Sequence, residues 1–104
     1  VVILDRIFIE FPEVREHFYD NIEVGANAKK EHYQRVEAVA EMHLDLFSYV
    51  LKSKKSFPDH YPYPETTEVW MRQMLGTSPA MRNYLKKHKD WYPELLYLLP
   101  KDVK

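Results

Sequence analysis

The 104-residue chain contains no cysteine. That absence removes a disulfide framework, a thiolate metal centre and a cysteine nucleophile together, and it fits a reducing compartment. Glycine is nearly as scarce, at two residues, too few for a loop-rich β protein or a glycine-rich phosphate cradle. No apolar run reaches the roughly 18–20 residues of a membrane span. Neither sign of charge dominates: Lys and Arg number 15, Asp and Glu 16, for a formal net charge of −1. Nucleic-acid binding usually shows as a basic balance or a basic face, so no nucleic-acid partner is expected. No basic stretch precedes the apolar start, as it would in a signal peptide. The chain opens without Met, inside the apolar stretch VVILDRIFIEF, and reads as a piece of a longer protein.

What is present describes a globular domain. Hydrophobic residues make up 45% and charged residues 30%, a mixture that folds without metal or disulfide support. The expectation is one helical domain over residues 1–104. Seven prolines beside two glycines suit short helices started and stopped by proline.

Spacing places Ile3, Leu4, Ile7, Phe8 and Phe11 on one helical side, and strict alternation fails at Ile7–Phe8–Ile9, so the first segment reads as helix. Pro12 opens a second short helix, PEVREHFY, and residues 20–29 read as a loop. From about Lys30 to Lys54, Tyr33, Val36, Val39, Ala40, His43, Leu46, Phe47 and Val50 recur at three- and four-residue steps. Gln34, Glu37, Glu41, Asp45, Ser48 and Lys52 fall on the other side. This is an amphipathic helix of about seven turns, expected to be the hub of the core. SFPDHYPYPE reads as an extended connection. Pro64 starts the next helix, with Thr67, Trp70, Met71 and Met74 inward. Ser78-Pro79 supplies cap and first turn for a helix to about His88, with Met81, Tyr84 and Leu85 inward. Tyr92-Pro93-Glu94 begins a last short helix closed by Pro100. PEVREHF and PAMRNYL share a Pro-x-apolar-Arg-x-aromatic-apolar pattern, which reads as reuse of a helix-starting sequence. The fold class is all-α: a compact bundle of four to six helices around one long central helix.

No reactive constellation is spelled out. The spacings His-x-x-x-His and Glu-x-x-His, which put ligands one turn apart, do not occur. His32 and His43 lie eleven residues apart on one helix, about 16 Å at 1.5 Å per residue, and cannot share an ion. No metal site, cofactor or catalytic residue is therefore assigned, and an enzyme whose acids and histidines assemble from separate helices is the weaker expectation. Glu13/Glu16 and Glu65/Glu68 suit helix starts, and Lys52, Lys54 and Lys55, like Lys86, Lys87 and Lys89, suit helix ends. Were those lysine clusters to meet, they would suit acidic lipid head groups or nucleic acid. His43, in the middle of an apolar stripe, reads as a core histidine bonded to a carbonyl, tyrosine or carboxylate, or as a ligand contact in a helical pocket. With eight Tyr, five Phe and two Trp, aromatic junctions stacked on prolines are the plainer expectation. The alternative is a ligand pocket lined by His43, Trp70, Tyr84 and Trp91.

Three strings, LDRIFIEFPEVREHFYDN, AVAEMHLDLFSYVL and TSPAMRNYLKKHKDWY, occur in that order. Together they resemble an uncharacterised bacterial family of small helical proteins with an N-terminal transmembrane helix. The resemblance rests on Phe8, Pro12, Glu13, Val14, Arg15, Phe18 and Tyr19. Later it rests on Ser78 to Arg82, Tyr84 and Leu85, then Asp90, Trp91 and Tyr92. It implies a cytoplasmic helical domain tethered to a membrane in full length, and brings no activity or catalytic residue with it. The expected function is a non-enzymatic interaction module that pairs with a second copy or a protein partner through apolar N-terminal residues such as Val2 and Ile9. The alternative is a small-ligand sensor.

Overall fold

The computed structural model describes residues 2–60 and 66–101. Five α-helices follow one another: α1 Val2–Glu10, α2 Pro12–Tyr19, α3 Lys30–Ser56, α4 Thr66–Thr77 and α5 Pro79–Lys87. Two 3-10 segments, Pro58–His60 and Pro93–Leu98, complete the list, and no strand occurs among the described residues. At 27 residues α3 is about 40 Å long, which sets the longest dimension, 47 Å, of a 47 × 31 × 21 Å body. The other helices gather on it: α5 is its main neighbour, while α2 lies against all four of its fellows.

Proline punctuates the chain as expected. Pro12 offers no N–H, so α1 and α2 are separated only by Phe11, whose own N–H bonds to the Ile7 carbonyl at 2.8 Å. Ser78 caps α5, its Oγ accepting the Met81 N–H at 3.1 Å. Pro93 starts the last segment, but its bonds, such as Leu95 N–H to Tyr92 O at 3.0 Å, close after three residues. The segment is a tight 3-10 helix instead of an α-helix. Pro58–His60 is likewise 3-10 within the stretch expected to be extended, and the proposed start at Pro64 and the YPYP segment lie outside the described residues.

The core corrects the expected inner face of α3. Val36, Val39, Ala40, His43, Phe47 and Val50 are buried, as their spacing requires, but so are Leu44 and Ser48. Val36, Ala40, Leu44 and Ser48 form a second row at four-residue steps, because neighbours cover α3 on two sides. Tyr33, expected inward, is 47% exposed at the margin. Ser48, expected outward, reaches a carboxylate from the far end of the chain, donating a hydrogen bond to Glu94. In α4 the inner face is Met71, Met74 and Leu75, which leaves Trp70 36% exposed and touching Phe47 only by its edge, at 5.2 Å between ring centres.

Candidate functional site

The C-terminal end of α2 meets the α4–α5 junction in a dense set of polar contacts. Thr77 Oγ1 donates to the Phe18 carbonyl at 2.9 Å, and Ser78 Oγ donates to the His17 carbonyl at 2.8 Å. Arg82 turns back on the end of α4, donating to the Leu75 and Gly76 carbonyls at 2.8 and 2.9 Å, where a cation is favoured. Its second nitrogen reaches Asn21 Oδ1 at 3.0 Å. Asn21 stands in the left-handed region at φ 57°, a conformation asparagine tolerates, and its N–H bonds to the Thr77 carbonyl. The chain is thereby turned sharply out of α2.

That turn brings two histidines together. His17 is buried, and its Nδ1 lies 2.7 Å from the Ile22 carbonyl. A carbonyl only accepts, so Nδ1 carries the hydrogen and Nε2 of the neutral ring is left as an acceptor. His32, on the first turn of α3, presents its own Nε2 at 2.9 Å, with the rings edge to face at 5.1 Å between centres. Glu16 Oε1 stands 3.8 Å from His17 Nε2. Sequence reasoning assigned no role to His17; the available signal was the spacing Val14, His17, Phe18, which puts it on the buried face of α2.

The four residues expected to line an aromatic pocket lie in three places. His43 is in the core, donating from Nδ1 to the Val39 carbonyl at 2.8 Å and stacked on Phe18 at 5.5 Å. Tyr84 and Trp91 join one row through His88: Tyr84 lies 4.5 Å and Trp91 3.9 Å from the His88 ring centre, with Trp91 59% exposed. Tyr84 also borders a hollow of about 110 Å³ with Tyr33, Glu37 and Lys87, room for a few waters. Trp70 borders a different hollow, of about 320 Å³, with Tyr19, Gln73, Met74 and Thr77.

Tyr19 also borders another hollow, of about 210 Å³, lined by Phe8, Ile9 and Arg15. Sharing Tyr19, the two hollows taken together make a shallow trough with walls from α1, α2 and α4. Ile9 stands 79% exposed on it, and the Arg15 guanidinium lies 5.0 Å over the Tyr19 ring. Compared with known protein families, curated proteins and solved structures, the chain matches none.

Electrostatics elsewhere tie helices together. Tyr92 donates to Asp45 at 2.5 Å. Burial, then the bond and charge of Asp45, pushes its phenol well above the usual range. Burial, with Glu41 and Glu37, also raises Tyr84. Burial works against ionisation of Glu94, but bonds from Ser48 and its own backbone, with Lys52 nearby, outweigh it and hold the carboxyl below its usual value. Lysines of both clusters face carboxylates: Lys52 with Glu94 at 3.7 Å, Lys54 with Glu68 at 3.9 Å and Lys87 with Glu37 at 3.2 Å.

Proposed function

We propose that the chain is a non-enzymatic helical interaction module that pairs with a second copy of itself through the trough on α1, α2 and α4. The exposure of Ile9, Tyr19 and Trp70, over a floor that includes the buried Phe8 and Met74, carries the reading. Isolated surface apolar side chains need no explanation, whereas a continuous apolar strip of several residues marks a contact surface. Charges of both signs stand on the helices that carry it, Arg15 over Tyr19 on α2 and the exposed Arg6–Glu10 pair on α1. Both signs are then available for a two-fold contact, which sets each patch against itself. Light scattering across a concentration series should give a dimer. Ile9→Asp, at a site too exposed to unfold the chain, should give a monomer with unchanged circular dichroism. A monomer at every concentration, or a dimer indifferent to Ile9→Asp, refutes the pairing.

The resemblance to membrane-anchored bacterial proteins adds a second part: in full length the module is cytoplasmic and carried on an anchor. No described helix is long and apolar enough to cross a membrane. Fractionation of the full-length protein tests this, and recovery wholly in the soluble fraction ends it. A small-ligand sensor is the second reading. The observation in its favour is the Trp70 hollow of about 320 Å³, at the lower end of the range for small-molecule sites. Quenching or shifting of Trp70 fluorescence by a screened ligand, lost in Trp70→Phe, is the result it requires.

A further inference from the structure

We infer that His17 and His32, with Glu16, form a binding site for a divalent transition-metal ion of the zinc or copper class. The two Nε2 atoms face each other at 2.9 Å. Two imidazoles bound to one tetrahedral ion at about 2.0–2.1 Å would have nitrogens about 3.3 Å apart, so a few tenths of an ångström of opening admits the ion. His32, half-buried on the first turn of α3, can give that distance by a small side-chain rotation. His17 is already held as a metal-bound histidine is held: its far nitrogen donates to a backbone carbonyl, Ile22 O at 2.7 Å, which fixes the tautomer and directs the Nε2 lone pair outward.

The proton balance is simple. Without metal, His32 Nε2–H donates to His17 Nε2. With metal, the His32 hydrogen moves to Nδ1 through solvent, and both Nε2 lone pairs bind the ion. Two neutral imidazoles enter and none is deprotonated. Glu16 Oε1, 3.8 Å from His17 Nε2, sits on a half-exposed side chain that can swing in as third ligand, leaving the fourth position to water. Among the described residues no three such donors are already gathered around one point. The site is therefore open and assembled on binding, with affinity expected in the micromolar range. Imidazole nitrogens with one carboxylate suit zinc and copper and are poorly matched to calcium or magnesium.

Calorimetric titration of the whole chain with zinc alone should show one ion per chain, and cobalt should give the visible absorption of a tetrahedral site. His32→Ala should weaken binding at least tenfold while far-ultraviolet circular dichroism stays the same, and Glu16→Gln several-fold. Zinc-dependent shifts of the His17 and His32 ring nitrogens in NMR give a readout that needs no variant. Absence of binding below millimolar zinc, an unchanged titration in either variant, or zinc shifts confined to other histidines overturns the assignment.

Discussion

Ser78, at the α4–α5 junction, ties α5 to α2 through one hydroxyl, and its removal has a calculable effect. The side chain is fully buried; its Oγ accepts from Met81 N–H at 3.1 Å and donates to the His17 carbonyl at 2.8 Å. The first bond caps α5, a role worth about 1 kcal/mol within a range of about 0.5–2. The second has no ready substitute. The amide four residues after His17 belongs to Asn21, and it bonds to Thr77 instead. Without Ser78 the His17 carbonyl is left without that donor in the interior, at about 1–3 kcal/mol. The two terms overlap, so Ser78→Ala should cost about 2–3 kcal/mol, which lowers Tm by on the order of 10–20 °C in a domain of this size. Urea denaturation followed by circular dichroism measures it. Two companions separate the terms. Ser78→Gly keeps most of the cap, which glycine tolerates at a few tenths of a kcal/mol, and loses only the bond to α2. Ser78→Asp can cap but cannot donate to a carbonyl when ionised, and it buries a charge, so it should be worse than alanine. A Ser78→Ala loss below about 0.5 kcal/mol, the size of an ordinary surface change, would show that this junction does not hold the helices as argued.

Two further predictions follow from the core and from the tyrosines. Phe47 is fully buried and meets the edge of Trp70 at 5.2 Å; Phe47→Ala should cost about 3–5 kcal/mol in urea unfolding and shift tryptophan emission, and a loss under about 1 kcal/mol would remove α3 from the centre of the core. Tyr92 and Tyr84 are both raised above the ordinary tyrosine value, chiefly by burial. The folded state therefore keeps protons that the unfolded chain gives up above about pH 10. Stability from these groups should be intact below that pH and fall as pH rises beyond it. Phenolate absorbance should show two of the eight tyrosines lagging in alkali, and Tyr92→Phe should soften the alkaline fall. Eight tyrosines titrating together on an intact fold would refute it.

The helical architecture was legible because the signals are local. Three- and four-residue spacing in α3, Pro12 and Ser78-Pro79 each act within a turn or two, and each stands where it was expected. What spacing could not show was how many neighbours α3 would have. A single stripe assumes one covered side; the second row, Val36, Ala40, Leu44 and Ser48, exists because material also packs on the flank. Ser48 is the clearest instance. By polarity it belongs in water, yet Glu94, 46 residues away, supplies the partner that permits its burial. The 3-10 form of Pro93–Leu98 has a similar cause. Six residues between Pro93 and Pro100 are too few to offset the cost of nucleating an α-helix, and packing of Leu95 and Leu98 selects the tighter turn.

The site was less legible, for a reason that His17 makes plain. Choosing residues by type brought forward His43, Trp70, Tyr84 and Trp91, which belong to different faces because each follows the rotation of its own element. Met71, Met74 and Leu75 occupy the inner side of α4, so Trp70 is turned to the trough, while Trp91 sits beyond the end of α5 on His88. His17 carried a signal of another kind. An imidazole at the buried positions of an apolar face must find a partner for each ring nitrogen or lose about 1–3 kcal/mol. One partner came from the adjacent loop, the Ile22 carbonyl. The second had to come from elsewhere in the chain, and it had to donate, because the first bond had already made Nε2 an acceptor. Carboxylates are excluded by that requirement while ionised. The remaining donors include lysines, arginines, hydroxyls and other neutral histidines, and nothing in their spacing selects His32. The ten-residue loop that returns the chain to the start of α3 makes the selection, and with it places two metal-competent nitrogens face to face.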